Sequence, residues 1–191
     1  MLALAFALGL LWFSLIEYVH HRHAGHRKAF GKLYRGHQAH HADPMEGRVQ
    51  FVKKLVQRLP LVLVGTVVLG GPWLLVLGVH YGSAAVVGTL IAYLYSEWFH
   101  HRIHQTPPKS AWASWMWRYH FVHHFRNPKV NFGFTSPLWD LVFRTYEAPA
   151  TKFVVREELA DRRTGDQLGF RWVARRVRSS QVATMPAQRD R

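Results

Sequence analysis

No cysteine occurs anywhere in the 191 residues. Disulfides, iron–sulfur clusters and thiolate-held metals are therefore excluded, and any bound ion must be held by nitrogen and oxygen. Basic charge is missing from two long stretches, since neither Met1 to His21 nor Leu59 to Phe99 contains a Lys or Arg. Also absent are the C-x-x-C-H haem attachment, the G-x-G-x-x-G dinucleotide fingerprint and the H-E-x-x-H motif of metalloproteases. Without these, electrons for any redox chemistry have to come from another protein.

The remainder of the chain is strongly basic, with a net charge of +14 and 25 Lys and Arg residues. Nine of them lie between Arg22 and Arg58, and the rest follow His100. A mean hydropathy of −0.11 looks like that of a soluble protein, but the average hides sharp segregation of apolar and basic segments. Positive-inside topology produces this pattern, and attraction to anionic headgroups accounts for charge and apolar runs together. Nucleic-acid binding would explain the charge alone, and no nucleic-acid motif accompanies it.

Laid against a membrane, Leu59 to Val79 is an uncharged run long enough, at about 1.5 Å per residue, to cross a hydrocarbon core of about 30 Å. Gly70-Gly71-Pro72 predicts a kink within it. His80 to Ser83 reads as a turn, and Ala84 to Phe99 as the return span of a hairpin whose uncharged tip faces away from the cytoplasm. Leu2 to Ile16 is a shallower span, lacking the basic start and small-residue cleavage site of a signal peptide. Phe51 to Arg58 suits an interfacial helix leading into the hairpin. Trp112, Trp115 and Trp117 fit either a headgroup-level helix or aromatic packing onto the domain. The expected fold is all-α: a membrane-embedded helical bundle over residues 1–155, with spans at 2–16, 60–79 and 84–99 and a cytosolic histidine-rich helical cap. Residues 156–191 read as a basic, mostly disordered tail.

The chain has 14 histidines, and thirteen fall in four clusters on the expected cytosolic side. These are His20, His21, His23 and His26; His37, His40 and His41; His100, His101 and His104; and His120, His123 and His124. Helical residues three and four apart share a face, so each H-x-x-H-H element aims three imidazoles one way. His21 and His26 are five apart and share a face less well, so Gly25 is expected to end the helix and turn His26 back. His80 stands alone and reads as an ordinary surface histidine. So many imidazoles brought together favour a metal, because it selects the neutral ring and satisfies its nitrogen. Imidazole alone does not choose between iron, zinc, copper and nickel. The clusters also repeat: Glu17-Tyr-Val-His-His-Arg-His echoes Glu97-Trp-Phe-His-His-Arg-Ile-His, and an H-x-x-H-H element follows each. A pseudo-symmetric binuclear centre results, with Glu17 and Glu97 as candidate acceptors for imidazole N–H groups.

Over about Glu17 to Tyr146 the sequence resembles the fatty acid hydroxylase and sterol desaturase superfamily, and its fatty-acid 2-hydroxylase branch more than the others. The family's H-x-x-x-x-H box matches His21 to His26, and its H-x-x-H-H box matches His37 to His41, followed by Pro44 and Glu46. The H-x-x-x-H box matches His100 to His104, the final box matches His120 to His124, and Asn131 to Tyr146 is similar to the segment after it. The resemblance implies metal-ligand and catalytic roles for His21, His26, His37, His40, His41, His100, His104, His120, His123 and His124, with His20, His23 and His101 as spares. The repeat would align His21 with His101 instead. The family's usual membrane unit has two hairpins, whereas one hairpin and a single preceding run are visible, so a truncated start or a minimal version is expected; no fused cytochrome b5 domain is seen.

By that resemblance the chain is expected to hold two iron ions, which zinc can replace in a purified protein, and to hydroxylate a C–H bond of a membrane lipid with O2. The donor is expected to be an external ferredoxin or cytochrome b5, to which the basic region after Phe99 could offer a docking face. Desaturation by the same centre, a membrane zinc hydrolase and a metal carrier or sensor remain the alternatives. Fatty acyl chains, sterols and carotenoids are all open as substrates. The bias of Arg over Lys, 18 to 7 by count of the sequence, makes a bacterial cytoplasmic membrane the expected location.

Overall fold

The computed structural model describes residues 1–44, 51–150, 153–156 and 173–177. Helix α1, Leu2–Val19, runs into a π-helical turn, His20–Gly25, and a short 3-10 turn, Lys28–Phe30. Helix α2, Lys32–Ala42, follows. The long α3, Phe51–Gln105, is interrupted at Gly78, where φ is 69° and ψ is 169°. Then come α4, Ala111–Phe125, the one-turn α5, Leu138–Val142, and strands β1, Phe153–Arg156, and β2, Val173–Val177.

Only glycine tolerates the backbone at position 78, and there the chain reverses. The return arm, 79–105, lies against 51–77: a Cβ at Gly70 would meet Val86, and one at Gly82 would meet the Trp73 and Leu74 backbone. The hairpin expected from sequence is present, but its turn lies at Gly78, ahead of His80 to Ser83. Gly70-Gly71-Pro72 keeps helical backbone angles. Residues 51–58 form one continuous helix with the span that follows.

Helix α1 packs parallel to the return arm, with Phe6 beside Gly88, Gly9 beside Ala85 and Thr89, and Phe13 edge-on to Tyr93. A Cβ at Gly9 would sit 2.0 Å from the Ala85 carbonyl oxygen, and one at Gly88 would sit 2.2 Å from that of Phe6. In lipid there is no hydrophobic drive between helices, so close backbone approach at small residues supplies the packing. Trp12 Nε1 donates to the Leu69 carbonyl at 3.0 Å and ties α1 to the first arm as well. The outer faces are apolar and exposed, as at Val67, Leu75 and Val79, and the spans Leu2–Gly25 and Val62–Gln105 are long and apolar enough to cross a bilayer. This is a membrane helical bundle.

The bundle's other end is a cap around α4, whose residues 116, 117 and 119–123 are buried. Trp117 is in the core and donates through Nε1 to the Ile103 carbonyl, while Trp115 stacks on Tyr119. Packing thus accounts for these two tryptophans, and only Trp112 lies exposed. Strand β1 docks through Phe153 against Phe121 and Phe125 and pairs in parallel with β2. The tail expected to be disordered therefore contains one strand, whose Val173-Ala-Arg-Arg-Val177 run can complete the hydrogen bonding of Phe153–Arg156. The rest of that tail, 157–172 and 178–191, lies outside the described residues, as does Glu46.

The contact between α1 and the return arm can be tested by Gly9→Leu. That variant should lose thermal stability in detergent by about 1–3 kcal/mol or more, because its side chain meets backbone rather than a movable side chain. Gly65→Ala, with nothing within 4 Å of the new Cβ, should leave the unfolding temperature equal or slightly raised.

Candidate metal centre

The ten histidines named from the sequence boxes meet in two sets of five. One set is His21, His26, His37, His41 and His123; the other is His40, His100, His104, His120 and His124. Within each set the ligand atoms all lie within 4.8 Å of one another. His20, His23, His101 and His80 belong to neither set.

Helix geometry explains the sorting. The ends of the two spans give one pair each, His21 with His26 and His100 with His104. Each H-x-x-H-H box then divides: its i and i+4 members stay with their own half, and its i+3 member crosses to the other. His37 and His41 join the first set while His40 joins the second; His120 and His124 join the second while His123 joins the first. Positions i and i+4 lie about 40° apart around a helix and i+3 lies about 60° to the other side, so a helix passing between two centres feeds both. The clusters consequently touch, with the His41 and His124 rings stacked at 4.3 Å.

The first pair is five residues apart because the chain winds through a π turn at His20–Gly25. Its wider i→i+5 spacing places His21 and His26 on one side, and His26 ends the turn with φ −114°. Gly25 is not simply a helix stop. A Cβ there would come within 2.9 Å of the His37 ring, so its bareness lets α2 close onto the turn. The extra residue also explains why the repeat aligned His21 with His101 while the clusters use His21 and His100.

The spacing of the ring nitrogens can be compared with what a cation requires. His37 Nε2 lies 3.0 Å from His21 Nε2, 3.0 Å from His26 Nε2 and 2.9 Å from His41 Nε2. His123 Nε2 lies 3.0 Å from His41 and 3.2 Å from His26. In the second set His120 Nε2 is 3.0 Å from both His104 and His124, and His104 is 3.2 Å from His100. One imidazole nitrogen carries one proton or one lone pair and cannot satisfy three such neighbours by hydrogen bonding. Metal–nitrogen bonds of about 2.0–2.1 Å at right angles put adjacent donors about 2.9 Å apart, against about 3.3 Å for a tetrahedron. The donor set therefore fits a cation of five or six coordination at each cluster.

Several of the rings are also pushed toward the neutral form that a ligand needs. Burial holds His37, His120, His123 and His124 well below the ordinary imidazole range, and lowers His26 to about 4. Burial, reinforced by His26 and His40, lowers His41 to about 3.

The ring orientations come from a segment whose role the boxes did not reveal. His21 Nδ1 donates to the Phe132 carbonyl and His123 Nδ1 donates to that of Val130 at 2.7 Å, which turns both Nε2 lone pairs inward. Asp140, fully buried, fixes that segment by accepting from Phe132 N at 2.9 Å, Gly133 N at 2.7 Å, Tyr119 Oη at 2.6 Å and Thr145 Oγ1 at 2.7 Å. Asn131, at φ 54°, accepts from Glu147 N and donates to the Tyr119 and Glu147 carbonyls. A Cβ at Gly133 would lie 2.3 Å from the Ser136 carbonyl oxygen. The sequence signal was the NFGFTSPLWD run itself, with Asn and Gly at backbone positions that suit them. Glu17, expected to accept from an imidazole, instead accepts from Phe134 N, Thr135 N and Thr135 Oγ1 at 2.9–3.2 Å. Its side chain projects from α1 one turn before His21, where the loop rather than a histidine ring lies. Glu97 is half-buried on α3.

Two outcomes follow from this geometry. Asp140→Ala should lower stability by about 3 kcal/mol or more by stranding its buried donors, and weaken metal binding at the His21 cluster by about 10–100-fold, read by zinc titration and thermal unfolding. In the metal-free protein the unfolded chain takes up protons near pH 6.5, whereas folded His26 does so only near about 4. Stability should therefore be full above about pH 6.5 and fall as pH drops toward about 4; limited proteolysis of the metal-free protein that is independent of pH across that window would contradict the assignment.

A family model described as fatty acid hydroxylase matches residues 6–145. A dihydroceramide fatty acyl 2-hydroxylase of Arabidopsis thaliana is 30% identical over 162 residues, covering 79% of this chain and 63% of that protein. The fatty acid 2-hydroxylase of Homo sapiens is 31% identical over 159 residues, covering 73% of this chain and 38% of that protein. A solved structure titled full-length scs7p, with only the hydroxylase domain visible, superposes with a TM-score of 0.57 at 24% identity, covering 78% of this chain and 57% of that one, a likeness of fold. The chain thus spans 38–63% of the length of these curated relatives. With most of its residues inside the matched region, including both imidazole clusters, the chain belongs to the fatty acid hydroxylase family.

Proposed function

We propose that this chain is a membrane-bound oxygenase that binds one iron in each imidazole cluster and uses O2 and external electrons to hydroxylate a C–H bond of a lipid. The observation that carries the proposal is the meeting of ten imidazoles in two adjoining sets of five, at donor spacings suited to five- or six-coordinate cations. A single catalytic zinc takes about three protein ligands, so a hydrolase would leave most of these rings without a purpose. The relatives' names, fatty acyl and fatty acid 2-hydroxylases, favour a long acyl chain, free or ceramide-linked, as the substrate.

Bound iron would supply O2 activation and oxygen insertion, chemistry that no side chain performs. The chain's own residues have narrower tasks. His21, His26, His37, His41 and His123 hold one ion, and His40, His100, His104, His120 and His124 hold the other. The Phe132 and Val130 carbonyls fix two of the rings, and Asp140 fixes the loop that carries those carbonyls. Phe132, whose ring lies 5.5–5.7 Å from those of His21, His26 and His123, helps keep water from the first cluster. Electrons enter from a separate ferredoxin or cytochrome b5, with the basic surface as its docking face. The location is a bacterial cytoplasmic membrane, with the histidine cap on the cytosolic side, where the basic residues gather.

Purification under reducing, anaerobic conditions should yield about two irons per chain, the number of five-imidazole sets. Adding O2 and a reductant should then consume O2 and leave a hydroxylated fatty acyl lipid whose new oxygen comes from labelled O2. One tightly held zinc, with hydrolysis that persists without O2, would replace this reading with that of a hydrolase.

A further inference from the structure

A carboxylate buried in a membrane span is costly, and Glu17, 5% exposed near the end of α1, needs a reason to be there. Its oxygens take up the Phe134 and Thr135 amides and the Thr135 hydroxyl, and Ser96 of α3 faces the same carboxylate. Glu17 lies one turn before His21, and Ser96 about one turn before His100. The Phe134-Thr135 loop is therefore wedged between the two spans on the bilayer side of the imidazole clusters.

The Phe134 ring is where that wedge meets the centre. It stacks on His100 at 4.4 Å and 24°, and lies 5.7 Å from His21 and 6.0 Å from His120. It therefore contacts members of both sets while contributing no ligand atom. Asp140 pins the backbone just before it, at Phe132 and Gly133, and Glu17 pins the backbone at and just after it. Two buried carboxylates thus hold the backbone on either side of the half-buried Phe134 ring, which makes it a stop rather than a swinging gate.

We propose that Phe134 is the specificity-determining residue of the centre, and that its ring, set in place by Glu17, fixes how far an acyl chain can advance and which of its carbons lies against the paired clusters. This rests on the oxygenase reading for the chemistry, but not for the binding. A flat ring held against both clusters selects by shape: a chain is halted where it abuts the ring, so chain length and site of attack are decided together. Glu17 acts through the loop as a positioning residue and touches no substrate.

The test compares wild type with Phe134→Ala, Phe134→Leu and Phe134→Trp. Metal content is measured first and should be unchanged, because the ring ligates nothing. Zinc-loaded, redox-silent protein is then titrated with saturated fatty acids of short, medium and very long chain. Relative affinities across the series should shift by about tenfold in Phe134→Ala, as expected when a pocket wall changes by more than a methylene, and in the opposite direction in Phe134→Trp. With iron, O2 and reductant, the ratio of products hydroxylated at neighbouring carbons should move by a similar factor, and Glu17→Ala should blur that ratio while Glu17→Gln restores part of it. Unchanged chain-length preference and unchanged product positions in all three Phe134 variants would overturn the proposal. So would loss of metal in all three, which would make the ring a structural support for His100. If wild type binds fatty acids yet forms no hydroxylated product, the oxygenase reading falls, and the affinity series alone still decides the role of Phe134.

Discussion

Ten imidazoles, half-buried or buried and crowded nitrogen to nitrogen at one end of a membrane bundle, set the conditions for everything else in this chain. Burial disfavours protons on rings such as His120 and His123, and the mutual spacing of the set leaves too few hydrogen bonds to go round, so lone pairs are left for a cation. Most of the cap can be understood as the means of holding those rings against their own repulsion. Helix α2 illustrates this: none of its residues is buried, yet it carries three of the clustered rings, so its attachment to the bundle depends heavily on the clusters it helps to build.

The membrane bundle serves as a rigid base for that arrangement. Glycine and alanine let α1 run backbone to backbone along the return arm of α3, which brings the His21 and His100 ends of two separate spans to the same level. A looser interface would leave the two pairs free to slide, and sub-ångström changes in donor separation matter for a metal site. The loop from Val130 to Asp140 then locks across both span ends. Its backbone carbonyls orient the rings of His21 and His123, and two buried carboxylates, Glu17 and Asp140, hold its backbone. The carboxylates of Glu17 and Asp140, which would be a liability in a membrane, are here satisfied by the amides and hydroxyls of this loop and its neighbours.

The two clusters are not supported alike. In the first, His21 and His123 donate to main-chain carbonyls, whereas the Nδ1 atoms of His104, His120 and His124 in the second are buried with no hydrogen-bond partner among the described residues. Outer hydrogen bonds raise ligand basicity and fix the tautomer, so the first cluster is the better anchored of the pair. An asymmetric pair of sites is thus built from two sequence repeats that look alike.

Alternation of uncharged and basic segments was enough, in the sequence by itself, to point to long apolar helices and a hairpin, because lipid enforces that segregation residue by residue. The histidine boxes were equally legible, since i, i+3 and i+4 spacing is a local property of a helix. Which ring joins which cluster was not legible: the crossing of His40 and His123 depends on two helices passing between two centres, and no local pattern encodes that. The π turn that brings His26 back, the turn at Gly78 instead of His80 to Ser83, and the engagement of Glu17 with Phe134 and Thr135 rather than an imidazole were likewise decided by tertiary structure. Each depends on what lies opposite in space, from residues as much as 118 positions away in the chain, whereas sequence periodicity reports only on neighbours along it.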